Sequence, residues 1–289
     1  NQRVVSVANL LQDQGYRTYA TGKWHVGTVP HNLPPARGFD RSLVMGDSGS
    51  DNWETGKLYL DLTDKVYWYE NGKEAQMPKT FYSSEFYVSK TLDYLKADAK
   101  SDKPFFAYVA FQANHIPLQA PQEFIDKYKG RYNAGWDALR QERRNKAIEL
   151  GLVPPNTPMA PVPSTHVAWD SLSAQDKAYQ ARRMEVYAAM LDYLDMSIGR
   201  VLDYLKKEGM YENTMIIFMS DNGAEGALLE AFPKFGPELM TYLNQHYDNS
   251  LDNIGRANSY VWYGPHWAQA ATAPVSDCMK ATPRNMAMV

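Results

Sequence analysis

The sequence predicts an α/β protein built on a central, mostly parallel sheet with helices on both faces. A pattern that occurs three times carries this prediction: an amphipathic helix, a residue that stops it, a short apolar strand and then a polar cluster. Helices that alternate with short apolar strands favour a parallel sheet covered on both sides. In such sheets ligands bind beyond the carboxyl ends of the strands, which is where all three polar clusters are expected.

The first occurrence lies at the start of the chain. Residues 4–14 are predicted to form a helix, and Gly15 ends it because glycine readily adopts the left-handed conformation found after helices. Residues 16–21 are predicted to form a strand that leads to the cluster Gly22-Lys23-Trp24-His25. The buried face of the helix is expected to contain Val4, Val7, Leu10 and Leu11.

The second occurrence combines a helix over about residues 84–96 with the apolar run 105–111. A continuous apolar run of this length is typical of a buried strand. The cluster that follows it is Asn114-His115-Ile116-Pro117. The apolar positions of the helix are Phe86, Leu92 and Leu95.

The third occurrence contains the longest predicted helix, over about residues 178–207, which ends at Gly209. Residues 214–219 are predicted to form a strand, and Ser220-Asp221-Asn222-Gly223 follows it. The buried stripe of the helix is expected to contain Met184, Tyr187, Leu191, Leu194, Ile198, Val201 and Leu205.

Two stretches interrupt this alternation and are expected to be insertions near the rim of a pocket. Within residues 58–77, a run of three aromatic residues and the turn Asn71-Gly72 predict a β-hairpin. Residues 126–177 contain a charged, helix-prone segment over 138–150 and a proline-rich loop over 154–163.

The composition narrows the classes of function. With 289 residues, 44% hydrophobic and 22% charged, the chain is an ordinary globular protein rather than a disordered or fibrous one. A formal charge of −3 offers no general reason to bind nucleic acid or an anionic membrane surface, and no run of apolar residues is long enough to span a bilayer. A single cysteine, Cys278, excludes an intrachain disulfide but leaves both a periplasmic and a cytoplasmic location open.

Oxygen donors and cations are the candidate functional groups. Asp221 and Asn222 could point at one hard cation, although for an isolated pair of this kind an Asx turn or a helix cap is the favoured interpretation. Calcium takes about six to eight oxygen ligands, so this pair could supply only part of a site. Lys23 and His25 face the same side if the strand geometry continues, and a cation beside an imidazole suits an anionic substrate.

The same Lys23 and His25 could also be an ordinary surface lysine and a hydrogen-bonded histidine. His115 lies just beyond the second strand and is either a further site residue or a structural histidine of the loop. The remaining histidines lie in no comparable position at a strand end and are expected to be structural. They are His31, His166, His246 and His266.

Several motifs resemble those of the sulfatase family, and of bacterial arylsulfatases in particular. They occur in the order expected for that family and extend to about Pro274. They are Gly22-Lys23-Trp24-His25, Pro35-Ala36-Arg37-Gly38-Phe39-Asp40, Pro104–Phe111 with the segment Asn114–Pro121, Phe218–Gly226, and Tyr247–Ser250 through Tyr263-Gly264-Pro265.

The resemblance implies an alkaline-phosphatase-like α/β fold and the hydrolysis of small-molecule sulfate monoesters. By the same resemblance, Asp221 and Asn222 are calcium ligands and Lys23 binds the sulfate and stabilises the nucleophile. His25 contacts the nucleophile and accepts its proton, and His115 contacts the sulfate and helps to protonate the leaving oxygen. Lys280 is the candidate for a second, later lysine on the sulfate.

The sequence also departs from the family pattern. Sulfatases use a formylglycine made within a Cys/Ser-x-Pro-x-Arg motif, and neither that motif nor an Asp-Asp pair occurs in these 289 residues. Residues 1–289 are therefore expected to be a partial, incomplete sulfatase catalytic domain that lacks an N-terminal nucleophile segment and a C-terminal subdomain, and to be inactive alone. The alternatives are a phosphate or phosphonate monoester hydrolase of the same superfamily and a non-catalytic remnant that binds anions or calcium. The oligomeric state is open.

Overall fold

The computed structural model describes residues 3–54, 65–226 and 236–274. The chain forms two compact units. The first unit contains residues 1–117 and 190–215, and the second contains residues 118–189 and 216–289. Within the described ranges, none of the helices combines the length and the apolar character needed to cross a membrane.

The first unit contains a five-stranded mixed sheet whose centre is parallel. Strand β1 pairs in parallel with β2 on one side and β5 on the other, and β3 and β4 continue the sheet in antiparallel order beyond β2. The spatial order is β4-β3-β2-β1-β5. The strands are β1 Arg17–Lys23, β2 Arg41–Met45, β3 Trp68–Glu70, β4 Lys73–Glu74 and β5 Phe105–Ala110.

Helices cover both faces of this sheet, as predicted. On one face Tyr19 packs with α2 (Ser83–Ala97) and with Val201 and Tyr204 of α5 (Ala174–Lys207). On the other face Ala20 packs with Ala8 of α1 (Val7–Asp13). The alternation of side chains along β1 thus supplies two separate cores, and the sheet belongs to the α/β class.

The prediction for the buried face of α1 was wrong. Val4, Val7 and Leu10 are exposed, at 58%, 59% and 56%, whereas Ala8 is buried. The reason is a close backbone approach: a Cβ added to Gly38 would lie only 2.4 Å from the backbone nitrogen of Asn9. Only the face of α1 with small side chains permits this contact. Ser6 caps the helix by accepting a hydrogen bond from the backbone N–H of Asn9, at 3.1 Å.

The hairpin prediction is confirmed. Strands β3 and β4 pair in antiparallel, and the turn between them holds Asn71 at φ 51° and Gly72 at φ 80°. Two consecutive positive φ values are what a tight two-residue hairpin turn requires. The side-chain oxygen of Asn71 also accepts a hydrogen bond from the backbone N–H of Ser42, at 2.8 Å, which ties the turn to β2.

The prediction of a third strand over residues 214–219 was wrong. These residues form no strand, and the side chains of Met215, Ile217 and Phe218 are 86%, 71% and 76% exposed. An apolar run becomes a strand only where a neighbouring strand takes up its backbone hydrogen bonds. Within the described part of the chain, residues 214–219 have no such ladder. Of the predicted buried stripe of α5, Met184, Leu194 and Leu205 are buried, whereas Leu191 is exposed. The remaining three members, Tyr187, Ile198 and Val201, are half-buried.

The second unit is mainly helical. The helix-prone charged segment forms α4 (Gly135–Glu149). A cluster of three tryptophans joins α4 to α7 (Gly264–Thr272) through edge-to-face ring contacts of 4.8–5.8 Å. The three are Trp136, Trp169 and Trp267. Edge-to-face contacts between buried aromatic rings stabilise such a junction beyond the area that they bury. The helices are α3 Gln122–Lys127, α4 Gly135–Glu149, the first part of α5, α6 Gly236–His246 and α7 Gly264–Thr272.

Gly22 is expected to be indispensable for the sheet. It has φ 103°, and a Cβ at this position would lie 1.9 Å from the carbonyl oxygen of Ala110 on β5. Gly22→Ala should therefore lower the free energy of unfolding by about 2–5 kcal/mol, since backbone strain and overpacking add. The control is Gly199→Ala in α5, because a Cβ at this position meets nothing within 4 Å. This substitution should raise the free energy of unfolding by about 0.5–1 kcal/mol, since alanine favours a helix over glycine. Urea unfolding of both variants checks this, and equal stabilities would contradict it.

Candidate active site

The candidate site lies at the carboxyl edge of the parallel strands in the first unit. Because β1, β2 and β5 run in parallel, the segments that follow Lys23, Met45 and Ala110 all leave the sheet at the same edge. The register pairs Lys23 with Met45 and Gly22 with Ala110. Lys23, His25 and His115, three residues predicted from the sequence, therefore belong to this one edge.

The segment after β1 is held by its tryptophan. The backbone N–H of Trp24 donates to the carbonyl of Met45 at 2.9 Å, and its indole Nε1 donates to the carbonyl of Asn32 at 2.8 Å. The indole also contacts the ring of Phe39 edge-on, with the centroids 5.8 Å apart. Trp24 thus anchors the two residues that flank it, Lys23 and His25.

His25 leaves the strand geometry that the sequence argument assumed. β1 ends at Lys23, and His25 adopts φ 48°, in the left-handed region that few residues other than glycine occupy. The rule that positions 23 and 25 face the same side therefore does not apply to this segment. Desolvation, followed by the positive charge of Lys23, lowers the pKa of His25, and the negative charge of Asp47 acts in the opposite direction. Lys23 and His25 thus share one electrostatic environment.

His115 is oriented by its own loop. Its backbone N–H donates to the carbonyl of Gln112 at 2.7 Å, and its ring Nδ1 lies 2.8 Å from the carbonyl oxygen of Ile116. A carbonyl can only accept, so Nδ1 carries the proton, and Nε2 is the basic nitrogen of the neutral ring. The imidazole is exposed, which suits a group that meets a substrate.

A buried polar layer, which the sequence analysis missed, supports the His115 loop. The side chain of Gln112 accepts from the hydroxyl of Tyr87 and donates to the carbonyl of Ser50 at 3.1 Å. The amide of Asn52 donates to the carbonyl of Pro117 at 3.2 Å and accepts from the Ser83 hydroxyl at 2.6 Å. Buried amides need hydrogen-bond partners, and Gln112 and Asn52 find theirs on each other's loops. The loop after β5 is therefore joined to the loop after β2.

Asp221 and Asn222 lie in the second unit, in a bend with exposed side chains. The Asn222 amide donates to the carbonyl of Gly223 at 2.8 Å, and its backbone carbonyl accepts from the Ser220 hydroxyl at 2.5 Å. These local bonds fit a turn and are also compatible with the side-chain oxygens binding a cation. That Asp221 and Asn222 share a cavity with Lys23 stays a prediction.

Lys280 and Cys278 lie outside the described residues. The structure therefore does not place the second candidate lysine. Among the residues that it does describe, no group of three or more His, Cys, Asp or Glu side chains is arranged to hold a metal ion.

Two of the remaining histidines belong to the tryptophan cluster of the second unit. His166 Nε2 lies 2.9 Å from a carboxylate oxygen of Asp137, and His266 stacks on Trp136 with the ring centroids 4.5 Å apart. The Nε2 of His266 accepts a hydrogen bond from the backbone N–H of Val167 at 3.0 Å, which requires an unprotonated nitrogen. Both residues therefore bind the 154–168 segment to α4 and α7, in agreement with the structural role expected for them.

The fold resembles that of a solved structure. The crystal structure of Ps i-CgsB in complex with k-i-k-neocarrahexaose superposes with a TM-score of 0.54 over 77% of this chain and 41% of that chain, at 24% sequence identity. This likeness supports the alkaline-phosphatase-like α/β fold that the sequence predicted.

Comparison with known sequences identifies the family. The sulfatase family model matches residues 1–284. An uncharacterized sulfatase of Schizosaccharomyces pombe is 44% identical over 95% of this chain and 50% of its own length. The arylsulfatase of Klebsiella aerogenes is 36% identical over 97% of this chain and 59% of its own length. The chain belongs to the sulfatase family, and it spans half or slightly more of the length of these two relatives.

We expect protonation of His266 to destabilise the second unit. Burial, followed by the charge of His166, lowers its pKa to about 4, and the positive charge of Arg183 acts in the same direction. The folded state thus favours the neutral ring, so this stabilisation is present above about pH 6.5 and is lost as the pH falls towards 4. Urea unfolding between pH 7 and 4 measures it. His266→Gln should flatten the pH dependence relative to the control His31→Gln, and identical pH profiles for the two variants would contradict the assignment.

Proposed function

We propose that the intact protein containing these residues is a sulfuric ester hydrolase of the arylsulfatase type, which hydrolyses small-molecule sulfate monoesters. The observation that carries the proposal is the placement of Lys23 and His25 at the same sheet edge as His115, in a chain 36% identical to an arylsulfatase. Cations and hydrogen-bond donors at one edge suit an anionic ester whose sulfuryl oxygens gain charge in the transition state.

Each of the three residues has a role that its geometry permits. The ammonium of Lys23, at the end of a rigid strand, binds a sulfuryl oxygen. The imidazole of His25, whose pKa is lowered by desolvation and by Lys23, is neutral near pH 7 and can accept a proton from the nucleophile. Protonated Nε2 of His115 can donate its proton to the leaving oxygen while Nδ1 stays bonded to the Ile116 carbonyl.

Asp221 and Asn222 are proposed to hold calcium. The fit is partial. Their side-chain oxygens and their exposure match a hard cation, but two residues supply fewer than the about six to eight ligands that calcium takes. When bound, calcium would supply Lewis-acid chemistry toward an anionic ester. The further carboxylate ligands and the formylglycine nucleophile are proposed to come from sequence of the intact protein outside these 289 residues, and Lys280 is proposed as the second cation on the sulfate.

Loss of the Lys23 cation should abolish most of the activity. In the intact protein, produced with a formylglycine-generating enzyme and calcium, Lys23→Ala should lower kcat/KM for 4-nitrophenyl sulfate by about 10²–10³, the usual effect of losing one stabilising group. The control is Lys100→Ala, an exposed lysine of the loop before β5. Hydrolysis of 4-nitrophenyl phosphate is measured in parallel. Turnover of the phosphate but not of the sulfate would favour a phosphate monoester hydrolase, and turnover of neither would favour a non-catalytic protein.

Removal of the Asp221 carboxylate should lower calcium content and activity together. Asp221 is the charged member of the proposed ligand pair and should contribute most to holding the ion. The calcium content of purified intact Asp221→Ala is measured beside its turnover of 4-nitrophenyl sulfate, with Asp252→Ala as a control in the same unit. Normal calcium with normal turnover would make Asp221 a turn residue and refute its role as a ligand.

A further inference from the structure

Asp47 and His25 follow neighbouring parallel strands, although Asp47 belongs to none of the sequence motifs. The register of the parallel strands pairs Lys23 with Met45, and the N–H of Trp24 bonds to the carbonyl of Met45. His25 is two residues beyond the end of β1, and Asp47 is two residues beyond the end of β2. Neighbouring strands lie about 4.8 Å apart, so the two segments leave the sheet side by side.

The backbone that presents Asp47 is held tightly. A Cβ on Gly46 would lie 2.9 Å from the side-chain methyl of Thr28 and 2.9 Å from the ring of Tyr69. The N–H of Gly46 donates to the carbonyl of Tyr67 at 2.9 Å. Gly46 is therefore fixed between the segment that follows His25 and the hairpin strand β3, and the side chain of Asp47, the next residue, is half-buried.

We propose that Asp47 acts on the reaction through His25, its carboxylate on the neighbouring segment offsetting the positive charge of Lys23. This inference rests on the proposed function for its catalytic consequence. The left-handed backbone at His25 turns the segment out of the strand ladder, so the ladder itself does not orient the ring. A carboxylate on the neighbouring segment acts on that ring through its charge.

The local charges are consistent with this role. Two charged side chains act on His25 in the described structure: Lys23 lowers its pKa and Asp47 raises it. Burial raises the pKa of the neighbouring Tyr69 phenol, a hydrogen bond with Thr28 lowers it, and the charge of Asp47 raises it further. Without Asp47, the imidazole would face the Lys23 ammonium with no opposing charge and would be a weaker base. A base with too low a pKa accepts a proton less readily in the transition state.

Three substitutions in the intact protein test the proposal. Asp47→Asn removes the charge and keeps the shape, Asp47→Glu keeps the charge, and Asp102→Asn removes an exposed carboxylate from the loop before β5 as the control. The pKa of His25 is measured by NMR titration, with His25→Gln to assign the resonance. The pH profile of kcat/KM for 4-nitrophenyl sulfate is measured beside it, and circular dichroism confirms that each variant is folded.

We expect Asp47→Asn to lower the pKa of His25 and to move the acidic limb of the pH profile to lower pH. The value of kcat should fall about tenfold with little change in KM, a fraction of the 10²–10⁴ that a general base contributes. Asp47→Glu should restore the acidic limb, and Asp102→Asn should leave both measurements unchanged. A His25 pKa that is the same in Asp47→Asn and in the unmodified protein would overturn the proposal. A shifted titration in a protein without sulfatase activity would support the Asp47–His25 interaction and refute the proposed function instead.

Discussion

Strand β1 is hydrogen-bonded in parallel to a neighbour on each side, and the candidate site depends on this arrangement. The pairing brings the carboxyl ends of β1, β2 and β5 to one edge of the sheet. It is possible only because Gly22 has no side chain where β1 meets the carbonyl of Ala110. At the amino end the carboxylate of Asp40 accepts from the backbone N–H of Thr18 at 2.9 Å, which fixes the same strand relative to the start of β2. Lys23 is therefore presented from a position with little freedom to move.

Rigidity at the strand ends contrasts with exposure of the groups that would meet a substrate. Trp24 is packed and hydrogen-bonded, and Gln112 and Asn52 are buried and bonded, whereas the rings of His25 and His115 are exposed. Packed neighbouring residues hold an exposed acid–base side chain in one orientation and leave it accessible to a substrate. Catalysis by such a side chain depends on this fixed geometry. In the second unit His166 and His266 serve the opposite purpose, because their ring nitrogens are used to bind loops and helices together.

Sequence reasoning succeeded where local signals and tertiary structure agree. The helix-ending glycines and the Asn71-Gly72 turn specify their own conformation through short-range sterics, and both were predicted. The apolar run of β5 was correctly predicted to be a strand but not a buried one, because β5 is an edge strand of the described sheet and Tyr108 is 47% exposed. The short strand β2 was not singled out, although its run Leu43-Val44-Met45 is apolar, and Asp47 was missed with it. The same strand-end rule that selected Lys23 would have selected Asp47 had β2 been identified.

The sequence by itself determined the α/β class, the hairpin, the family and the identity of the candidate site residues, because these follow from local periodicity, turn chemistry and motif order. Only the tertiary structure decided which face of α1 is buried, where a close approach at Gly38 admits Ala8 and excludes the valines. It likewise decided that residues 214–219 form no strand, and that His25 leaves the ladder at a place where the charge of Asp47 acts on it. A side chain is buried, and a strand is paired, only where another part of the chain lies at the right distance. The local sequence of an apolar run or around an acidic residue does not specify where that other part lies.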